Sequence, residues 1–141
     1  MTQHIELKNI YKSFGQTKVL QDFNLTFQKG KFTTLLGASG CGKTTILRLI
    51  AGLEELDQGQ ILCDGRDISL LPPQQRGVGI VFQSYALFPH LRVGENVAFG
   101  LKMQEENPTK IAEKVKNALK MVELEGFEQR GIEQLSGGQQ Q

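Results

Sequence analysis

A glycine-rich run in the first third of the chain has residue types suited to binding phosphate. It fits the pattern G-x-x-x-x-G-K-[ST] and consists of Gly37, Ala38, Ser39, Gly40, Cys41, Gly42, Lys43 and Thr44. The glycines let the backbone curl so that N–H groups point at phosphate oxygens, and a helix that begins near Lys43 adds its positive end. Lys43 is expected to reach the β- and γ-phosphates, and the Thr44 hydroxyl to hold Mg²⁺.

The residues on either side of this loop predict the elements that must position it. Residues 32–36, Phe-Thr-Thr-Leu-Leu, predict a buried strand before the loop. Apolar side chains recur at helical spacing from Thr45 to Leu53, and Gly52 is expected to end that helix. The order strand, glycine loop, helix is the one that a phosphate-binding loop requires.

Composition indicates an ordinary globular chain. Of the 141 residues, 39% are apolar and 22% are charged, and the net charge is +1. A balanced charge gives no electrostatic footprint for nucleic acid and no basic patch for a membrane surface. Apolar runs reach only about five residues, and the amino terminus lacks a secretory pattern, so a cytosolic chain is expected.

The cysteines and histidines do not suggest a site by their spacing. Cys41 and Cys63 form neither a metal framework nor a disulfide framework at this separation, and reduced thiols are expected. Cys41 lies near a helix N-terminus, a setting that can lower the pKa of a thiol, although a small residue that merely fits is the favoured interpretation. His4 and His90 are far apart in sequence, so each is interpreted as a surface histidine.

Outside the loop, the first part of the chain predicts a small antiparallel sheet. Ile5 and Leu7 alternate with polar residues, and residues 23–27 do the same. A further strand is predicted over residues 59–65, with its end in an Asp-Gly turn. Two prolines at 72 and 73 then precede Val78 to Phe82, which predict a second buried core strand.

The remainder of the chain predicts helix, and it ends in a second run suited to phosphate. Asn107-Pro108 is a helix start, and apolar residues follow at helical spacing as far as Gly126. The last seven residues suggest a loop that enters a helix. Hydroxyl and bare backbone N–H groups suited to phosphate are offered there by Ser136, Gly137 and Gly138.

Taken together in this order, the phosphate loop, the strand that ends at Gln83 and the run Leu135-Ser136-Gly137-Gly138-Gln139 resemble the ATP-binding-cassette ATPases. The resemblance covers essentially the whole chain. It implies an α/β P-loop NTPase cassette core with an N-terminal antiparallel β subdomain and an α-helical subdomain, incomplete at the C-terminus. The implied divisions are residues 1–83 for the β subdomain and core, 84–135 for the helical subdomain and 135–141 for the signature motif.

The resemblance also implies the roles of individual residues. Two cassettes pair head to tail in this family, so the signature residues Ser136, Gly137, Gly138 and Gln139 are expected to contact ATP held by a second copy of the chain. Gln83 matches the glutamine that reaches Mg²⁺ or the attacking water. The ATP-binding set is completed by the loop residues 37–44, Thr45 and Phe14, which aligns with the aromatic ring that stacks on adenine. Tyr11 remains the alternative to Phe14, because stacking needs only a ring face.

Finer matches resemble the ATPase subunits of bacterial solute importers that are fed by periplasmic binding proteins. These matches lie in residues 73–76, 81–91 and 95–101. Residues 37–49 and 114–141 are most similar to ferric-iron import ATPases, although polyamine and sugar importers share much of the pattern. Ala38 departs from the family, in which many relatives have proline. Ser84 to Leu91 is the implied socket for transmembrane permease subunits, which places the protein peripherally on the cytoplasmic face of the inner membrane.

Three family features have no match in these 141 residues. They are an Asp at the end of an apolar strand, a Glu that polarises the attacking water and a switch histidine, all expected after the signature helix. Without them the resemblance implies weak ATP binding, negligible turnover, a poorly stable sheet and aggregation. A non-catalytic remnant is therefore one alternative. A soluble cassette ATPase that acts on DNA or ribosomes is another, and the balanced charge argues against a nucleic-acid partner.

Overall fold

The computed structural model describes residues 3–82, 86–104 and 106–141. The chain divides into two compact units, Met1–Ile80 and Val81–Gln141. The predicted positions Gln83, Ser84 and Tyr85 lie outside the described residues.

The first unit contains a four-stranded antiparallel sheet in the order β2-β1-β3-β4. Its strands are β1 (Gln3–Phe14), β2 (Thr17–Gln28), β3 (Gln58–Cys63) and β4 (Arg66–Asp67). Leu7 on the central strand β1 lies opposite Leu25 on one side and Ile61 on the other. The predicted antiparallel sheet is confirmed, and the Asp64-Gly65 turn joins β3 to β4.

Helix α1 (Lys43–Ala51) contributes to the same apolar core as the sheet. Leu7, Ile10, Leu49 and Ile61 are the largest fully buried side chains of this core. Gly52 ends the helix with φ 76°, a left-handed conformation that favours glycine, and its N–H donates to the Leu49 carbonyl at 3.2 Å. The predicted helix end at Gly52 is confirmed.

A buried arginine holds the C-terminal end of α1. The Arg76 guanidinium donates to the Leu49 carbonyl at 2.7 Å and to the Ile50 carbonyl at 3.4 Å. It also donates to the carbonyls of Ser69 at 2.8 Å and Leu71 at 2.6 Å. A cation at this position complements the negative end of the helix dipole and satisfies carbonyls that have no partner within the helix. Burial lowers the pKa of the Arg76 guanidinium from its ordinary value.

The prediction of two buried core strands was wrong. Residues 32–36 and 78–82 form no strand, and the described residues provide no strand that pairs with either. Phe32 is 95% exposed and Val81 is also 95% exposed, whereas Leu35 and Val78 pack against the first core. Both segments were interpreted as central strands, which need a neighbour for their backbone groups and cover for both faces.

The second unit is helical. It contains α2 (Val93–Met103), α3 (Pro108–Met121) and the short α4 (Gly137–Gln140), and 3₁₀ turns lie at Pro73–Gln75 in the first unit and Ile132–Gln134 in the second. Its core is formed by Val93, Ala98, Val115, Leu119, Ile132 and Leu135. In the described parts of the chain, no helix has the combination of length and apolar character needed to cross a membrane.

Helix α3 begins where the sequence predicts and ends earlier. The Asn107 side chain accepts a hydrogen bond from the Thr109 N–H at 2.9 Å, which caps the N-terminus. The apolar spacing predicts helix as far as Gly126, but the helix ends at Met121. Glu123 has φ 60°, and the Leu124 N–H turns back to the Leu119 carbonyl at 2.9 Å. The apolar side chain of Leu124 therefore packs on the core from a turn rather than from a helix.

The position of Arg76 leads to a stability prediction. Arg76→Ala removes the hydrogen bonds to four carbonyls, some of them buried, and we expect the free energy of unfolding to fall by about 3 kcal/mol in urea denaturation. Arg66→Ala is the matched control, because Arg66 is exposed, and its effect should stay within about 0.5 kcal/mol. Equal losses for the two variants would contradict a specific role for Arg76.

Candidate functional site

The glycine loop is shaped by backbone conformations that favour glycine. Gly40 has φ 80° and Gly42 has φ 94°, both in the left-handed region. At Gly42 there is also little space, since an added Cβ would lie 3.1 Å from Leu20 Cδ2 and 3.3 Å from Val19 Cγ1. The end of the loop is therefore pressed against strand β2, where both the conformation and the space favour a residue without a side chain.

Helix α1 begins directly after Gly42 with its first turn free of side-chain caps. The N-cap residue Gly42 makes no side-chain cap hydrogen bond, and the first turn contains no acidic residue. The first N–H groups of a helix have no partner within it, and they form the positive end of the helix dipole. An anion beside the loop would therefore receive hydrogen bonds and a favourable field.

The lysine of the motif is folded against its own loop. Lys43 Nζ donates to the Gly37 carbonyl at 2.8 Å and to the Ala38 carbonyl at 2.7 Å, and it lies 3.5 Å from Cys41 Sγ. The ammonium group thus lies within the loop, and its predicted contact with the β- and γ-phosphates stays a prediction. A phosphate oxygen is a stronger acceptor than a neutral carbonyl, so a bound phosphate would compete for this cation.

The hydroxyl and thiol groups of the motif lie close along the chain. Thr44 is exposed at the start of α1, and Thr45 beside it is half-buried. Ser39 is exposed in the loop, and Cys41 carries an exposed free thiol. An exposed hydroxyl next to a phosphate site has the chemistry of a Mg²⁺ ligand, because Mg²⁺ prefers oxygen donors and takes the others from phosphate and water.

Of the two candidate aromatic rings, Phe14 is the more exposed. Phe14 is 46% exposed and Tyr11 is 37% exposed. Lys12 Nζ lies 4.9 Å from the centroid of the Phe14 ring, and it forms ion pairs with Glu54 at 2.9 Å and Asp57 at 3.7 Å. The hydrogen bond to Glu54 raises the pKa of Lys12. The ring therefore has a charged, buried lysine beside it.

Strand β2 contacts the loop and also pairs with the strand that carries Phe14. Phe14 pairs with Thr17 at the turn of the β1–β2 hairpin, and Lys12 pairs with Leu20. Leu20 is also the side chain nearest to Gly42. The same stretch of β2 therefore contacts the end of the phosphate loop and pairs with the strand that carries Phe14.

The second predicted phosphate run forms a compact cap in the helical unit. The Ser136 hydroxyl accepts from the Gln139 N–H at 3.4 Å, and the Ser136 N–H donates to Gln139 Oε1 at 3.0 Å. Leu135 before it is buried in the second core, whereas Ser136, Gly137 and Gly138 are exposed. The buried leucine anchors a run whose backbone and hydroxyl remain open to solvent.

The sequence pattern identified the loop residues, but it did not reveal two buried cations. The structure brings residues 37–45 together at the start of α1, whereas Ser136 to Gln139 belong to the other unit. Gln83 lies outside the described residues, so its role stays a prediction. Lys12 and Arg76 are both 7% exposed, and no local pattern marked either as buried, because their partners lie far along the chain.

Comparison with known proteins identifies similar sequences. Residues 20–141 match the family described as ABC transporter. The chain is 58% identical over 97% of its length to the spermidine/putrescine import ATP-binding protein PotA of Aggregatibacter actinomycetemcomitans. It is 56% identical over the same share to the Fe(3+) ions import ATP-binding protein FbpC of Escherichia coli O157:H7. It spans 37% of the first relative and 39% of the second.

Solved structures of an ABC transporter cassette resemble the fold of this chain. The dimeric bacterial ABC transporter cassette MJ0796 has a TM-score of 0.86 at 32% identity, over 96% of this chain and 65% of that one. The post-hydrolysis dimer of the same cassette, bound to ADP and Pi, gives a TM-score of 0.84. The predicted fold class, a P-loop cassette with an antiparallel β subdomain and a helical subdomain, is confirmed for the part of the cassette that the chain covers.

The geometry of Lys43 predicts the effect of its removal. Lys43→Ala should weaken binding of Mg²⁺-ATP by about 10- to 100-fold in calorimetric titration, because one charge-assisted hydrogen bond is lost. Lys31→Ala is the control, since Lys31 is exposed outside the motif and should leave the affinity unchanged. Unchanged affinity in Lys43→Ala would place the nucleotide elsewhere.

Proposed function

Because this chain belongs to the ABC transporter family, we propose that it is the ATP-binding part of a bacterial solute importer. The observation that carries the proposal is the glycine loop at the uncapped N-terminus of α1, with Lys43 Nζ already inside it. In this role, ATP binding and hydrolysis drive transport through separate membrane subunits. The protein would sit peripherally on the cytoplasmic face of the inner membrane.

In the proposed complex, the loop N–H groups and Lys43 bind the β- and γ-phosphates. Lys43 exchanges the carbonyls of Gly37 and Ala38 for phosphate oxygens, and the N-terminus of α1 adds its positive field. Thr44 is the residue that would hold Mg²⁺, with Gln83 as a second contact. Mg²⁺ would neutralise charge on the transferred phosphoryl group.

The adenine ring is assigned to Phe14 in this proposal. The ring ends strand β1 beside the β2 residues that support the loop, and Tyr11 is the less exposed of the two rings. Lys12 holds one side of the Phe14 ring at 4.9 Å, which fixes its orientation for stacking.

The signature run is assigned the role of contacting ATP that is bound to a second copy of the chain. Ser136, Gly137 and Gly138 present an exposed hydroxyl and exposed backbone, which suit the γ-phosphate of ATP bound to a partner cassette. This head-to-tail pairing agrees with the dimeric form of the similar cassette MJ0796. Turnover is expected to require a carboxylate that polarises the attacking water, as the family resemblance implies.

The contact with a permease is assigned to Ser84–Leu91, of which residues 86–91 are described. Asn96 holds this segment, since its side-chain oxygen accepts from the Phe88 N–H at 2.9 Å and its amide donates to the Leu91 carbonyl at 3.1 Å. The Phe88 ring packs on Phe99 at 4.4 Å between centroids and is still 37% exposed. Leu87 packs against the second core. The segment thus combines an anchored backbone with an exposed ring, as a docking surface requires.

The transported solute is the finer part of the proposal. The sequence pattern favours ferric iron, and relatives named for iron and for spermidine/putrescine are similar to this chain at 56% and 58% identity. This cassette has no part in solute recognition under the proposal. The solute is therefore to be identified by transport rather than by the residues of this chain.

Uptake in cells tests the proposed function. In cells that lack the gene, the complete protein should restore ATP-dependent uptake of ferric iron. Uptake of spermidine, the alternative solute, is measured separately in the same cells. Phe88→Ala should lower uptake by about tenfold or more while ATP binding is retained, because Phe88 lies outside the phosphate site.

Met121→Ala is the matched control, since this side chain is 81% exposed on the same unit and should leave uptake unchanged. Restoration of spermidine uptake alone would show that the solute is a polyamine rather than iron, and the importer role would stand. Restoration of neither would reject both iron and spermidine as the solute, and unimpaired ATP-dependent uptake in Lys43→Ala would contradict the proposed function.

A further inference from the structure

Three side chains with metal-binding atoms meet at one edge of the sheet in the first unit. The ligand atoms of His4, Cys63 and Asp64 all lie within 4.8 Å of one another. We propose that these residues form a Zn²⁺ site, separate from the Mg²⁺ site expected at Thr44.

Backbone pairing holds the three residues together. Ile5 on β1 lies opposite Cys63 on β3, and the Asp64 N–H donates to the His4 carbonyl at 2.7 Å. Neighbouring residues of a regular strand point to opposite faces, but Asp64 has φ 47° and begins the turn to β4. The cluster is thus formed by two paired strands and a tight turn, which are more rigid supports than a long loop.

The distances are close to those of a tetrahedral site. His4 Nδ1 and Asp64 Oδ1 are 3.1 Å apart, and two such ligands on tetrahedral Zn²⁺ are separated by about 3.4 Å. Sulfur and nitrogen ligands on the same ion are separated by about 3.6 Å, so the distance from Cys63 Sγ to His4 Nδ1, at most 4.8 Å, needs to shorten by no more than about 1.2 Å. The His4 and Asp64 side chains are 40% and 50% exposed, so they can also shift toward Cys63 Sγ.

The donor set favours zinc over the hard cations. A thiolate, an imidazole and a carboxylate are the three donor types of protein zinc sites, and water can take the fourth position. Mg²⁺ and Ca²⁺ prefer sites made of oxygen alone. The chemistry of this cluster therefore differs from that of the nucleotide site, where hydroxyl and phosphate oxygens are the donors.

Lys29 supports the site from outside. Its Nζ lies 3.2 Å from Asp64 Oδ2, whereas His4 contacts Oδ1. The ammonium therefore holds one carboxylate oxygen and leaves Oδ1 to His4 Nδ1. Carboxylate ligands of metals are commonly held in this way by a second hydrogen bond.

Cobalt provides a direct probe, because a thiolate bound to Co²⁺ gives a near-ultraviolet charge-transfer band. The purified complete protein, freed of metal and kept reduced, should develop this band with a single Co²⁺ ion per chain, and Zn²⁺ should abolish it. Cys63→Ser should eliminate the band, and His4→Gln or Asp64→Asn should each weaken Co²⁺ binding by about tenfold or more. Cys41→Ser is the matched control, and it should keep the band.

Other results would overturn the proposal. Absence of the band in the parent protein excludes a thiolate ligand, and a band that survives Cys63→Ser places the metal elsewhere. Loss of the band in Cys41→Ser alone points to the glycine loop. Retention of full affinity in both His4→Gln and Asp64→Asn also rejects the cluster, and circular dichroism of the metal-free variants verifies that each is folded.

Discussion

The fold of the first unit depends on the close contact between Gly42 and strand β2. With φ 94° and no side chain, Gly42 lets the chain turn from the loop into α1 directly against Val19 and Leu20. A side chain here would meet both steric strain in the backbone and atoms of β2 at little more than 3 Å. Because the same part of β2 pairs with the end of β1, this contact links the loop and the start of the helix to the Phe14 hairpin.

The electrostatics of α1 follow from what lies at its two ends. At the C-terminus, the Arg76 guanidinium satisfies carbonyls and complements the negative end of the dipole. At the N-terminus, no side chain caps the helix, and the only cation of the motif is turned onto neutral carbonyls. The helix is therefore stabilised at one end and left ready for an anion at the other.

The sequence predicted the features that depend on local chemistry. The glycine loop, the end of α1 at Gly52, the Asp64-Gly65 turn and the Asn107 cap each follow from a few adjacent residues. Residues 32–36 and 78–82 were wrongly predicted as strands, since strand formation depends on a partner that local sequence does not reveal. The His4, Cys63 and Asp64 cluster was missed for a similar reason. Residues about 60 apart are brought together only by strand pairing.

The most direct test of the central claim is the change in backbone amide NMR signals when Mg²⁺-ATP is added to the ¹⁵N-labelled protein. If the loop seated on β2 binds phosphate, the largest shifts should fall on residues 38–45, with smaller shifts at Phe14 and near Leu20. Signals of the exposed residues of β4, which lies at the sheet edge opposite to β2, should stay unchanged and serve as the internal control. Shifts that are absent from residues 38–45, or that are concentrated elsewhere, would contradict the account.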